Sequence, residues 1–127
     1  MTTNHKTALV TGATRGIGRE VVRQLLDEGY RVIATGRSRD DLESLKAEAA
    51  SNHLIIATVD LESTDLEAQV LSAIGDSHLD LLVANAARFA AWDEVASTAD
   101  LTNAEAVMQV NLFGTWRVIQ AALPALK

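Results

Sequence analysis

The chain of 127 residues is long enough for one domain whose core needs neither a metal nor a disulfide to fold. Apolar residues make up 48% of the sequence and charged residues 22%, a balance that is typical of globular proteins and excludes intrinsic disorder. The net charge of −6 disfavours a general nucleic-acid surface, and the absence of cysteine excludes disulfides, thiolate metal sites and cysteine nucleophiles.

The sequence contains no predicted membrane or secretory segment. No apolar run approaches the roughly 18 residues of a membrane span, and no apolar stretch of signal-peptide length precedes Thr7. The three histidines, His5, His53 and His78, are too scattered to suggest a zinc site. We therefore expect a single cytoplasmic domain over residues 1–127, without a metal, a membrane partner or a nucleic-acid partner.

The first half of the chain alternates apolar strands with amphipathic helices. A strand over 7–10 leads through a glycine-rich turn to a helix that stops at Gly29, and whose apolar stripe is predicted to contain Ile17, Val21, Val22, Leu25 and Leu26. A second strand over 31–35 follows, and then a helix over 41–50. The strands are almost wholly apolar, as expected where both faces of a sheet are covered by helices.

The second half repeats this alternation. The predicted elements are a strand over 54–59, a helix over 63–74 capped by Ser63, a strand over 79–84, a loop over about 86–99, and a helix over 102–123 that Thr102 and Glu105 begin as a capping box. Alternating strands and helices predict an α/β fold with a parallel sheet, and ligands of such sheets bind at the carboxyl ends of the strands.

The turn after the first strand has glycine at three positions, Gly12, Gly16 and Gly18. Glycine lets the backbone approach a ligand closely, and the amino end of the following helix offers free N–H groups and a positive dipole to a phosphate. The alternative is that the glycines only permit a tight turn. The position between a strand and a helix favours phosphate binding.

The end of the second strand favours one nucleotide over another. Dinucleotide-binding folds place an acid about 20 residues after the glycine turn, where it holds a ribose 2′-hydroxyl. Here Gly36 is followed by Arg37, Ser38 and Arg39, and Arg15 of the glycine turn can reach the same volume. Two guanidinium groups suit a 2′-phosphate. The alternative is that Arg37 and Arg39 pair only with the nearby acids, which are Asp40, Asp41 and Glu43.

Three further polar positions lie at strand ends or inside the last helix. Asp60 can accept a hydrogen bond from an adenine amino group or serve as an N-terminal charge for the next helix. Asn85, followed by the small residues Ala86 and Ala87, can tie neighbouring turns together beside space for a ring or ribose. The alternative is that these small residues only allow backbone segments to pack closely. Asn111 is predicted on the buried stripe of the last helix, where its polar side chain needs hydrogen-bond partners. A local kink with ordered water could supply them. The alternative is that the side chain forms a hydrogen bond to the backbone, which only holds the helix to the sheet.

Taken in order, these motifs resemble the short-chain dehydrogenase/reductase family. The resemblance implies a three-layer Rossmann-like fold with four strands in the order 3-2-1-4, NADP(H) as cofactor, and hydride transfer to or from a carbonyl or alcohol substrate. It implies a catalytic role for Asn111, and cofactor contacts from Gly12, Thr14, Arg15, Gly16, Ile17, Gly18, Arg37, Ser38, Asp60, Leu61, Asn85, Ala86 and Ala87.

The chain departs from the family pattern at two points. Ala87 stands where the family usually has glycine, so its methyl group is expected to tighten the cofactor groove. No serine lies at the family's catalytic position. The family's Tyr-x-x-x-Lys is also missing, since the only tyrosine, Tyr30, is predicted at the sheet end away from the cofactor. Three alternatives stay open: a reductase with another proton donor (water, a partner chain, or Asp93, Glu94 or His78), a non-catalytic NADP-binding module or sensor, and a fragment of a longer enzyme.

The last helix is apolar on two sides. One side faces the sheet, and the other carries Met108, Leu112, Trp116, Ile119 and Leu123. A helix that is apolar on two sides needs two partners, and the fourth strand is also predicted to leave an apolar edge. The family resemblance implies dimer formation through this helix. We therefore expect a homo-oligomer.

Overall fold

The computed structural model describes residues 5–88 and 101–126, and it contains one parallel sheet. The strands are β1 (Thr7–Val10), β2 (Arg31–Gly36), β3 (Leu54–Thr58) and β4 (Leu81–Val83). They lie in the order β3-β2-β1-β4. The predicted α/β fold and strand order are therefore confirmed.

Helices cover both faces of this sheet. They are α1 (Gly16–Asp27), α2 (Arg39–Ala49), α3 (Leu66–Ile74), α4 (Leu101–Met108) and α5 (Thr115–Ala122). On one face, Val22 and Leu25 of α1 and Leu45 of α2 pack in one cluster with alternate residues of the strands. On the other face, Leu66 of α3 and Val118 of α5 pack in a second cluster. The predicted three layers are thus present.

The central strand β1 supplies both clusters. Leu9 points into the cluster that contains α3 and α5, while its neighbours Ala8 and Val10 point into the cluster with α1 and α2. All three are buried. This alternation explains why the strand is apolar at every position, because each face of the pleat meets a helix layer.

Several predicted boundaries differ from the observed ones by one to three residues, and two differences have a structural reason. Helix α3 begins at Leu66 instead of Ser63, because the Ser63 hydroxyl accepts from the Asp65 N–H inside the preceding turn and caps no helix. Strand β4 is shorter than predicted and starts at Leu81. Leu79 is fully buried and pairs in parallel with Leu126, so this end of β4 is not the bare apolar edge that was expected.

The last helix is interrupted. Between α4 and α5, residues Gln109–Gly114 form a π-helical turn, and a 3₁₀ turn over Leu123–Ala125 follows α5. The predicted kink near Asn111 is therefore a π-bulge, a feature often found at functional sites. Helix α4 already includes Leu101, so Thr102 lies inside the helix and the predicted N-cap is wrong. The predicted loop lies, except for residues 86–88, outside the described residues.

Within residues 5–88 and 101–126, no helix combines the length and apolar character that crossing a bilayer requires.

A bidentate ion pair joins α5 to α3. Nε and Nη2 of Arg117 donate to the two carboxylate oxygens of Glu67 at 2.6 and 2.5 Å, and Nη1 donates to the Ser63 carbonyl at 3.2 Å. These hydrogen bonds from Arg117 lower the pKa of Glu67 from 4.5 to about 2. A bidentate arginine–carboxylate pair is geometrically specific, so it fixes α5 beside the segment that follows β3.

We predict that Glu67→Gln destabilises the fold only while Glu67 would be ionised. Because its folded pKa lies below its unfolded value, the ion pair stabilises the fold above pH about 4.5 and loses this effect as the pH falls toward about 2. Urea-unfolding midpoints from pH 7 to pH 2 should show a deficit for the variant that shrinks across that interval. Glu28→Gln is the control, and a pH-independent deficit for Glu67→Gln would contradict the assignment.

Candidate functional site

The turn between β1 and α1 packs backbone against backbone. Gly12 and Gly16 have φ of +62° and +60°, a region that L side chains rarely adopt. A Cβ on Gly12 would lie 2.8 Å from Cα of Ala86, and a Cβ on Gly18 would lie 2.1 Å from the Gly12 carbonyl oxygen. Gly12 and Gly18 therefore allow backbone segments to approach each other closely, and their role is not limited to forming a tight turn.

Polar contacts fix this turn to the segment after β4. The Thr11 hydroxyl accepts from the backbone N–H groups of Asn85 and Ala86, each at 3.0 Å. The Asn85 side-chain amide donates to the Gly12 carbonyl at 3.1 Å. The prediction that Asn85 ties neighbouring turns together is confirmed, and Thr11, which the sequence reasoning did not single out, is its counterpart.

The amino end of α1 is open to an anion. Within the described part of the chain no side chain caps it, and its first turn contains no acidic residue. A Cβ on Gly16 would meet no atom of the described residues within 4 Å, so the space on this side of the turn is open. The Arg19 guanidinium donates to the Thr14 carbonyl at 2.9 Å, which holds the turn in place. Unpaired N–H groups and the helix dipole make this end suited to a phosphate.

A cleft of about 380 Å³ lies beside this helix end. Its walls are formed by Thr14, Arg15, Arg37, Ser38, Asp41 and Asp60. Five of these six were predicted cofactor contacts, and the fold brings them together from three different strand ends. Among the described residues, the Arg15 side chain has no hydrogen-bond or ion-pair partner, and it is free to meet a ligand.

The two arginines after β2 have different partners. Arg39 pairs with Glu43 on the same helix at 2.9 Å, as the alternative reading of this segment expected. Arg37 pairs with neither Asp40, Asp41 nor Glu43; its Nη1 lies 3.7 Å from a carboxylate oxygen of Glu62. That distance exceeds a hydrogen bond, so the donors of Arg37 remain largely available.

Asp60 and Leu61 point in different directions. Asp60 lines the cleft, and its carboxylate accepts from the Glu62 N–H at 2.9 Å while its own N–H donates to the Gln69 side chain. Leu61 is buried in the core cluster beneath the last helix, so its side chain does not reach the cleft. A Cβ on Gly114 would lie 3.1 Å from Leu61, and this glycine therefore allows the helix to approach.

Asn111 is not on the buried stripe, and that prediction is wrong. Its side chain is exposed and forms two hydrogen bonds to the backbone of Arg88: the amide donates to the carbonyl at 2.8 Å and the oxygen accepts from the N–H at 2.7 Å. The π-turn displaces Asn111 from the regular helical stripe. The alternative that this residue bonds backbone is correct, with the segment after β4 as its partner.

The remaining predicted residues lie at the edges of the site. Ile17 is 76% exposed at the start of α1, although apolar periodicity placed it on the buried stripe. Ala86 lies against Gly12, whereas Ala87 is exposed. Ser38 caps α2 by accepting from the Asp41 N–H.

Of the other proposed proton donors, Asp93 and Glu94 lie outside the described residues. His78 precedes β4 and lies 3.6 Å from Asp80, at the sheet edge opposite the cleft.

The sequence reasoning also missed Glu62 and Arg88. The Arg88 guanidinium donates to the Glu62 carboxylate at 2.7 Å and thereby joins the segments after β3 and β4. Both residues follow strand ends, which is where ligands of parallel sheets bind. Applying that rule to every charged residue at the carboxyl edge, and not only to familiar motifs, would have found them.

Residues 6–127 match the family model for short chain dehydrogenases. Since the match covers nearly the whole chain, the protein belongs to the short-chain dehydrogenase/reductase family. The resemblance drawn from its motifs is confirmed.

Curated relatives are oxidoreductases of the same family. The chain is 35% identical over 120 residues to an NADP-dependent 3-hydroxy acid dehydrogenase of Escherichia coli O6:H1, which covers 93% of this chain and 48% of that protein. It is 32% identical over 121 residues to a serine 3-dehydrogenase of Agrobacterium fabrum, covering 94% and 48%. The chain thus spans about half the length of the curated relatives it matches.

Solved structures share the fold. A serine dehydrogenase complexed with NADP+ superimposes with a TM-score of 0.81 at 32% identity, covering 94% of this chain and 48% of that one. A blue fluorescent protein from a metagenomic library, in complex with NADPH, superimposes with a TM-score of 0.84 at 28% identity, covering 97% and 52%.

We predict that Thr11→Val destabilises the fold. Valine keeps the shape of threonine but removes the acceptor for two backbone N–H groups, and each unsatisfied buried donor costs about 1–3 kcal/mol. Urea denaturation monitored by tryptophan fluorescence measures the loss. Thr58→Val, at the exposed end of β3, is the matched control, and equal stability of the two variants would contradict the assigned role of Thr11.

Proposed function

We propose that this chain binds NADP(H) and forms the cofactor-binding part of an oxidoreductase that acts on carbonyl or alcohol groups. The observation that carries the proposal is the pairing of Arg15 and Arg37 in one cleft beside the uncapped amino end of α1. The helix end suits the cofactor's diphosphate, and two guanidinium groups suit a 2′-phosphate. Relatives described as NADP-dependent support the choice.

Each proposed contact has a chemical role. The backbone of the turn, with Gly12, Gly16 and Gly18, approaches the diphosphate, while Thr14 and Ile17 flank it. Arg15, Arg37 and Ser38 hold the 2′-phosphate. Asp60 accepts from the adenine amino group, with Leu61 contributing backbone only, and Asn85, Ala86 and Ala87 line the adenosine ribose.

The chemistry divides between the cofactor and the chain. When bound, the nicotinamide supplies or accepts the hydride. The chain orients it: Asn111 holds the backbone of Arg88, and Asn85 and Thr11 hold the start of the same segment against the glycine turn. We assign Asn111 this orienting contribution to catalysis.

A second candidate is an NADP-binding module that does not turn over substrate. It is favoured by the position of Tyr30, which precedes β2 at the sheet edge away from the cleft, so that this tyrosine donates no proton to a molecule bound there. NADPH oxidation over a panel of carbonyl compounds separates the two functions. Turnover supports the oxidoreductase, whereas tight NADPH binding with no turnover supports the module.

The cytoplasmic location of the protein stays a prediction.

We predict that Arg37→Asp weakens NADPH binding far more than NADH binding. Loss of a charge-assisted hydrogen bond to the 2′-phosphate costs about 1–3 kcal/mol, and NADH lacks that group. Isothermal titration of mass-verified protein with each nucleotide measures the ratio. Arg39→Asp is the control, because Arg39 pairs with Glu43 and does not line the cleft. If Arg37→Asp leaves the ratio of the NADPH and NADH dissociation constants unchanged, Arg37 does not have this role. If the unmodified chain binds neither nucleotide, the proposed function is wrong.

We also propose that the chain forms a homo-oligomer through the last helix. The predicted second apolar side is exposed, with Met108, Leu112, Trp116, Ile119 and Leu123 each between 37% and 56% accessible. Such a patch marks an interaction surface. Light scattering at micromolar concentration should give at least twice the monomer mass, and a mass near 13.6 kDa would refute the prediction.

A further inference from the structure

Three charged side chains lie next to one another at the carboxyl edge of the sheet. Arg37 follows β2, Glu62 follows β3 and Arg88 follows β4. One carboxylate oxygen of Glu62 accepts from Nη1 of Arg88 at 2.7 Å, and the other lies 3.7 Å from Nη1 of Arg37. Glu62 is thus hydrogen-bonded to one arginine and only near the other.

This asymmetry matters because Glu62 is, among the described residues, the carboxylate that forms an ion pair with Arg37, and it therefore competes for that guanidinium. A carboxylate and a phosphate present similar acceptors to a guanidinium, so an unneutralised Glu62 would draw Arg37 into its own hydrogen bond. It would also repel a phosphate dianion brought to the same place. Arg88 opposes both effects, because it occupies one carboxylate oxygen and cancels the charge.

Arg88 is well placed for this task. Its backbone N–H and carbonyl are both bonded to the side chain of Asn111, so the main chain from which its guanidinium extends is fixed. The Glu62 backbone is fixed as well, since its N–H donates to Asp60. Two anchored backbones reduce the conformational entropy that an exposed ion pair normally loses.

We propose that Arg88 is a specificity-determining residue: it neutralises Glu62 and thereby leaves Arg37 available for the 2′-phosphate of NADP(H). The inference rests on the proposed function and deepens it. It assigns nucleotide preference to a residue on a third strand end, beyond the two arginines that line the cleft.

A double-mutant cycle tests the proposal. The unmodified chain, Arg88→Gln, Glu62→Gln and the double variant are each titrated with NADPH and NADH, which differ only in the 2′-phosphate. Since exposed ion pairs are worth about 0.2–1 kcal/mol, Arg88→Gln should raise the Kd for NADPH about 1.5–5-fold, whereas Glu62→Gln should leave it nearly unchanged, because Arg88 already cancels that charge. The Kd for NADH should stay unchanged. Once Glu62 is neutral, adding Arg88→Gln should have no further effect.

Two variants serve as controls. Arg88→Lys keeps the positive charge and should retain the preference for NADPH. Glu43→Gln removes a more exposed carboxylate whose arginine partner, Arg39, lies outside the cleft, and it should leave both affinities unchanged. Circular dichroism confirms folding, which we expect because these side chains are all at least 32% accessible.

The outcomes separate this proposal from the proposed function. If the unmodified chain binds neither nucleotide, the proposed function fails and this inference fails with it. If the chain prefers NADPH but Arg88→Gln leaves the preference unchanged, only this inference is overturned. If Arg88→Gln weakens NADPH equally with and without Glu62→Gln, Arg88 acts without Glu62 and the inference is again overturned.

Discussion

The site depends on one close approach, in which the backbone after β1 touches the backbone after β4. No Cβ fits at Gly12 or Gly18, because the nearest atoms belong to Ala86 and to the turn itself. Hydrogen bonds from Asn85 and to Thr11 hold the two segments at this separation. The amino end of α1 is consequently fixed at the carboxyl edge of the sheet, and the cleft forms around it. A side chain at either glycine would push apart the elements that carry the phosphate-binding groups.

Features that depend on local sequence were largely predictable. Apolar strands, glycine stops and helical stripes gave the elements in their correct order, and the i,i+4 pair of Arg39 with Glu43 follows from helical spacing alone. Errors arose where local preference competed with a nearby alternative. Ser63 has the chemistry of an N-cap, but its hydroxyl bonds within the turn before the helix. Ile17 has the correct period for a buried stripe, yet the stripe begins one turn later, beyond the open amino end of the helix.

Features that depend on the topology could be anticipated only in part. The contacts of Glu62 with Arg37 and with Arg88 join residues on three different strand ends, and no periodicity relates them. The order β3-β2-β1-β4 places these ends along one edge, so the contacts become apparent only once that order is known. Asn111 is a similar case. Its hydrogen bonds depend on a π-turn whose extra residue per turn changes the direction of every later side chain, and the sequence pattern of a regular helix contains no such step.

The segment from α4 to α5 links the two halves of this edge. Asn111 forms hydrogen bonds to the backbone after β4, and Gly114 lies against Leu61 after β3. Arg117 forms an ion pair with Glu67 at the start of α3. All three contacts lie along less than two turns of the chain, so the segment sets the spacing between the loops after β3 and β4. The opposite side of the same segment is the exposed apolar face that begins at Met108. A molecule that covered this face would pack against the element that positions Arg88. Because well-packed interiors transmit small displacements, such a contact would be felt at Arg88 and its partner Glu62.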